Sequence, residues 1–304
     1  MYTPEILFEM YRERAEQRNR GLIERVNRHL APVKVDYERD VLPLTPKGNA
    51  TERHITAAYA ALAKEIVDEP VTFWSERLDL PRPQVATMVD DLPTLKNAIR
   101  SQLMKRGGVG YVQPDHSSFP SVPEVNRLII ACGALPCATW LDGTSEGEQA
   151  EEELLSLLIE QGVVALNIVP DRNWNIRDPE QKEIKLQNLY QVVDLAQALD
   201  LPLNVGTEMN KFGLKLVDDF AAPELAPVRD AFLDGALFVY GHTAAERALG
   251  IGYQSAWANG ELPDRRARNA FYTTLGRSVQ PGNAGLQALQ QVGIDAPAAI
   301  LAAR

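Results

Sequence analysis

Over the first hundred residues the apolar positions recur at helical spacing. Ile6, Leu7, Met10 and Tyr11, then Leu22, Val26 and Leu30, lie among many arginines and glutamates, which predicts an amphipathic helix or helix pair over 4–30. Further helices are expected at 51–67 and about 84–106, divided by Pro70 and the Pro81-Arg82-Pro83 breaker. The only extended candidate in this part is 33–37. After Gly107-Gly108 short apolar runs at 108–112, 135–140, 163–169, 201–206 and 236–240 alternate with helical stretches. That alternation predicts five parallel strands with helices between them. Ser121 with Glu124 and Ser145 with Glu148 have capping-box spacing, Gly133 and Gly162 stand where helices stop, and Asp178-Pro179 opens a helix running to about residue 200.

The pattern therefore divides the chain into a mainly helical segment, 1–106, and a parallel β/α domain, 107–304. No Gly-x-Gly-x-x-Gly or Gly-x4-Gly-Lys-Ser/Thr sequence follows any predicted strand, which removes the usual signal for dinucleotide or nucleoside triphosphate binding. Of the two architectures such alternation allows, an α/β barrel and an open doubly wound sheet, the barrel is then the expected one. In that fold the polar residues past the strand ends converge on one face. The strand-end set consists of Asp115 and His116, Thr139 to Asp142, Asn167 with Asp171, Arg172 and Asn173, Glu208 and Asn210, and His242.

Charge and composition narrow the function classes. The net charge of −10 arises entirely after residue 106: 17 Lys and Arg face 16 Asp and Glu before that point, and 14 face 25 after it. Neither part has the dense basic excess that phosphate neutralisation requires, so a nucleic-acid partner is not expected. No apolar run is long enough to span a membrane, and the first residues carry acids and arginines where a signal peptide needs an apolar stretch. A cytoplasmic protein without a membrane partner is the expectation. Cys132 and Cys137 are too few for a disulfide framework and lack the spacing and partners of a zinc site.

Each candidate also has an ordinary reading. His29 is expected to be a solvated helix residue. His54 either joins Arg53 in binding phosphate or packs at a helix start. Glu208 follows a buried apolar run, where a carboxylate needs a cation, a wet pocket, or a salt bridge to Arg172 or Lys211. Trp140 and Trp174 can stack on a ligand, but core or rim packing is the simpler expectation.

In this order the segments resemble the polymerase-and-histidinol-phosphatase (PHP) family of metal-dependent phosphoesterases, over roughly residues 10–215. The stretch Gly48-Asn-Ala-Thr-Glu-Arg53-His54-Ile is similar to the end of that family's helical insertion. Ser121 to Trp140 resembles the helix and strand leading to its His-Pro ligand, and 199–213, with Glu208-Met-Asn210, resembles its last ligand strand. The amino-terminal His-x-His strand has no counterpart, Thr139-Trp140 replaces His-Pro, and Glu208-x-Asn210 replaces Asp-x-His. The resemblance implies a distorted TIM-type (β/α) barrel, here incomplete, with the chain beginning inside a longer ancestral domain.

On that basis the expected activity is metal-dependent hydrolysis of a phosphate ester on a small phosphorylated substrate. Asp115, His116, Glu208 and His242 would hold a weakly bound manganese or zinc ion. Glu208 and His242 would act as base and acid, and Arg53, His54, Asp142, Arg172, Asn173 and Asn210 would bind substrate. The alternatives are a non-catalytic relative that binds a sugar or phosphate ligand, and a metal-independent isomerase or lyase using Glu208 and His242.

Overall fold

The computed structural model describes residues 3–115, 118–209 and 215–292. The chain forms two compact units, divided after Ser121.

The first unit is helical: α1 Pro4–His29, α2 Glu52–Ile66, α3 Pro70–Leu78, α4 Arg82–Met88 and α5 Leu92–Ile99. Leu22, Ile23 and Val26 of α1 pack with Ile55, Ala58, Tyr59 and Ala63 of α2 in one apolar core, the stripe that helical spacing requires. The 33–37 stretch begins extended but pairs with no strand. Its backbone is held by a side chain instead: the Asn27 amide donates to the Val35 carbonyl, and the Val35 N–H donates to Asn27 Oδ1, each at 2.9 Å. The Tyr59 hydroxyl donates to the same Asn27 Oδ1 at 2.8 Å. His29 is half-buried, and its ring meets the Arg77 carbonyl at 2.7 Å, tying α1 to α3.

No strand forms at 108–112, where the sequence pattern predicts the first one. The stretch is a series of turns packed on α1. Gly110 donates to the Leu103 carbonyl at 2.7 Å, and Arg25 holds the Gly110 carbonyl with two nitrogens at 3.2 and 2.9 Å. A side chain at Gly110 would collide with Val26, so the glycine is what lets the turn close on the helix.

The second unit holds the sheet. Its elements are α6 Val122–Ala131, β1 Cys137–Trp140, α7 Glu151–Glu160, β2 Ala165–Ile168, α8 Asp171–Trp174, α9 Pro179–Ala198 and β3 Leu203–Val205. They are followed by α10 Arg229–Leu249, α11 Ala256–Glu261, α12 Arg265–Ser278 and α13 Asn283–Val292. Asp178 caps α9 as the sequence predicts, accepting from the N–H groups of Glu180 and Gln181, and Gly133 and Gly162 take the left-handed conformation expected past α6 and α7.

The three strands are parallel in the order β1-β2-β3. Their register aligns Ala138 with Leu166 and Leu203, and Trp140 with Ile168 and Val205. These two rows share one face, which packs against Leu189, Val192, Val193 and Ala196 of α9. A three-strand open sheet in a mostly helical protein is not a (β/α) barrel of the TIM type, complete or incomplete, because closing one takes about eight strands. The barrel expectation is corrected accordingly.

The predicted fifth strand, 236–240, lies inside α10. A short apolar run reads alike as a buried strand or as a buried helix segment. Here packing selects the helix. A side chain at Gly235 would collide with the Leu203 backbone, so α10 seats directly on β3. The segment covers the edge strand as a helix rather than extending the sheet by a fourth strand. Phe238, Ala244 and Ala245 then join Phe271, Tyr272 and Leu275 of α12 in a second core. Among the described residues no helix is long and apolar enough to cross a membrane.

Candidate functional site

Three strand ends meet through α8, a single helical turn directly after β2. Each of its side chains has a protein partner. Asp171 faces Lys215 at 3.8 Å and accepts from the Asn175 amide. Arg172 Nη1 donates to Glu208 Oε2 at 2.9 Å, and its Nη2 lies 3.8 Å from Asp142 Oδ2. Asn173 is fully buried and donates to the Leu141 and Val169 carbonyls. Trp174 donates through Nε1 to Asp218 Oδ1 at 3.0 Å. One turn thus ties the end of β1, the end of β2 and the segment after β3 to one another.

Asp142 anchors the cluster. It is 7% exposed, and Lys185 Nζ of α9 lies 2.8 Å from its Oδ2. Thr144 donates to its Oδ1 through both the hydroxyl and the backbone, and Asn188 Nδ2 donates to its carbonyl. Burial acts to raise the carboxyl pKa, but the bonds from Lys185 and Thr144 and the lysine charge outweigh it and hold Asp142 below its ordinary value. It is therefore a permanent anion at neutral pH. Outside it, the Arg172 and Glu208 side chains are 34% and 38% exposed, so the ion pair faces solvent.

Asp142, Arg172, Asn173 and Glu208 therefore come together as the strand-end pattern predicts. The Arg172 to Glu208 salt bridge is the ordinary reading weighed for that glutamate. Lys185, Asn188, Trp174 and Asp218 belong to the same cluster and have no place in the sequence-based set. One signal for Lys185 exists: it stands four residues before Leu189 on the stripe that continues through Val192, Val193 and Ala196, a buried helix face where a lysine needs a partner.

His242 lies elsewhere. It is buried within α10, and its Nδ1 accepts the Tyr253 N–H at 3.0 Å. Its ring also engages the backbone of Gly133, ahead of β1, whereas Asp142, Arg172 and Glu208 lie beyond the strand ends. An imidazole that accepts through one nitrogen while neutral carries its proton on the other. Burial lowers its pKa, partly opposed by the nearby Glu246 and the Gly133 backbone. This is a satisfied neutral core histidine.

The remaining candidates are in the first unit or undescribed. His54 closes a capping box at the start of α2, its Nδ1 accepting the Thr51 N–H at 3.0 Å, and Arg53 stands in the same first turn. Asp115 accepts from the Ser118 N–H and hydroxyl in a turn of the first unit. His116 and Asn210 lie outside the described residues. Trp140 is core, as the simpler expectation has it.

Of the four residues expected to hold manganese or zinc, His116 lies outside the described residues, and Glu208 and His242 have protein partners. Arg172 engages Glu208, and Tyr253 and Gly133 hold His242. Among the described residues no three His, Cys, Asp or Glu side chains form a set that could hold a metal ion. Compared with protein-family models, curated proteins and solved structures, the chain matches none.

Proposed function

We propose that the second unit binds a small phosphorylated compound beyond the strand ends, through Arg172 and Lys185, without turning it over. The observation that carries this reading is the state of the Arg172 guanidinium. It is about one third exposed, and Glu208 is its one partner within hydrogen-bond distance among the described residues. Of five guanidinium N–H donors, most have no hydrogen-bond partner among the described residues and can make the bidentate contact that a phosphate accepts. The position agrees with the general placement of ligands in open parallel sheets, outside the carboxyl ends of the strands.

Binding is favoured over catalysis because Glu208, the expected base, is paired with Arg172, and His242, the expected acid, is engaged by the Tyr253 N–H. Calorimetric titration with inorganic phosphate and with glucose 6-phosphate tests the reading. Saturable binding that weakens by about tenfold or more in Arg172→Gln is expected, the loss of a charge-assisted contact. Binding unchanged in that variant, or no binding at millimolar ligand, rejects the site. Manganese-dependent release of p-nitrophenol from its phosphate ester would restore the PHP-like hydrolase in place of the binding protein.

A further inference from the structure

The face of the sheet opposite α9 has its own chemistry. Register aligns Thr139 with Asn167, and Asn167 with Asn204, so three polar side chains form one row across all three strands. Thr139 is exposed and both asparagines are half-buried. Strands of a parallel sheet are ordinarily apolar on both faces, and asparagine is disfavoured in strands. Two asparagines side by side on adjacent strands therefore work against folding, a conflict found mainly where function requires it. Beside the row, Cys137, Ala165 and Asn204 form the floor of a cleft of about 510 Å³, whose walls come from residues 132–135 and from His242, Glu246 and Arg247 of α10. That volume is in the range of small-molecule sites.

We propose that this open face is a second site, for a neutral, hydroxyl-rich ligand of monosaccharide or cyclic-polyol size. Asn204 Nδ2 donates to Asn167 Oδ1 at 2.7 Å, and this bond leaves Asn204 Oδ1 as an acceptor and Asn167 Nδ2 as a donor with no protein partner among the described residues. Whichever way the two amides are turned, the pair presents one acceptor and one donor group. With the Thr139 hydroxyl they make an uncharged array of both polarities, the complement of neighbouring sugar hydroxyls, each of which donates and accepts. The cleft adds no net charge: Glu246 and Arg247 balance, and His242 is held neutral by the Tyr253 N–H. A phosphate would find no fixed cation on the floor. The proposal is independent of the strand-end site, since it uses the other face of the sheet and none of the same residues.

Cys137 is a reporter built into the floor of the cleft. In Cys132→Ser protein it is the one remaining thiol, and its reaction with 5,5′-dithiobis(2-nitrobenzoate) can be followed with myo-inositol, D-glucose or inorganic phosphate present. At two-thirds occupancy the rate should fall about threefold with at least one of the two polyols. Phosphate should leave it unchanged. Asn204→Leu should abolish the protection, and Thr139→Val, altered at an exposed position that leaves the asparagine pair intact, should weaken it. The proposal is overturned if neither polyol slows the reaction, if phosphate alone does, or if protection persists in Thr139→Val and in any Asn204→Leu protein that melts cooperatively.

Discussion

Gly241 of α10 and Gly276 of α12 lie back to back. A Cβ built on Gly241 would stand 1.9 Å from the Tyr272 carbonyl oxygen, and one built on Gly276 would stand 1.9 Å from the Leu237 carbonyl oxygen. The two helices therefore touch backbone to backbone, and neither glycine has room for a methyl group. Gly276→Ala should lower stability by about 1–3 kcal/mol, the usual cost of overpacking a tight interior, and Gly241→Ala should do the same. Thermal melts followed by circular dichroism read this directly. An alanine variant as stable as the parent would mean that the helices separate without cost.

His242 makes stability depend on pH. Its folded pKa lies below the ordinary 6.5, chiefly because burial disfavours the imidazolium. Between the two values the unfolded chain binds more protons than the folded one. The contribution is thus complete above the unfolded value and declines as pH falls from about 6.5 through the lower folded pKa. Carboxylates titrating nearby add their own slopes, so the comparison is with His242→Asn. Melting temperatures measured from pH 8 to pH 5 should fall more steeply for the parent chain than for the variant. Parallel curves would show that His242 does not carry this slope.

Asp142 has the opposite chemistry and the same direction of loss. Its folded pKa is lowered, so its contribution is present above the unfolded carboxyl value, near 3.8, and is lost as pH falls through the folded pKa. At neutral pH, Asp142→Asn leaves Lys185 and Arg172 without their shared anion. Removing one partner of a largely buried pair costs about 3–5 kcal/mol, and this site belongs at the lower end because the lysine is partly exposed. Urea denaturation should show the drop, with Lys185→Met milder because Asp142 keeps its two bonds from Thr144 and the Arg172 guanidinium nearby.

Asn27 substitutes for a strand in the first unit. It exchanges two hydrogen bonds with Val35 and accepts a third from Tyr59. Asn27→Ala should destabilise that unit by about 2–3 kcal/mol, since the Val35 backbone groups lose their partners. Hydrogen exchange at the Val35 amide is the sharper measurement. It should accelerate in the variant while amides in the middle of α9 keep their protection, and equal acceleration in both would contradict a local role.

The sequence alone determined the helical first part, three of the five expected strands, whose runs 135–140, 163–169 and 201–206 contain the observed β1, β2 and β3, and the cap at Asp178, because periodicity and capping are local properties of the chain. Of the strand-end set it expected on one face, Asp142, Arg172, Asn173 and Glu208 gather, because residues just past parallel strands point beyond one sheet edge whether or not the sheet closes, and His242 does not join them. Tertiary structure decided the rest. Only packing selects between helix and strand for the apolar run 236–240, and the glycines that seat α10 on β3 and α12 made it a helix, which removed the barrel and placed His242 in the core. Only packing brings Lys185 to Asp142, because that pair spans separate elements and no local pattern links them. The polar row Thr139, Asn167 and Asn204 is likewise a property of register: strand pairing aligns single residues from three distant segments, and their spacing along the chain gives no sign that they will meet.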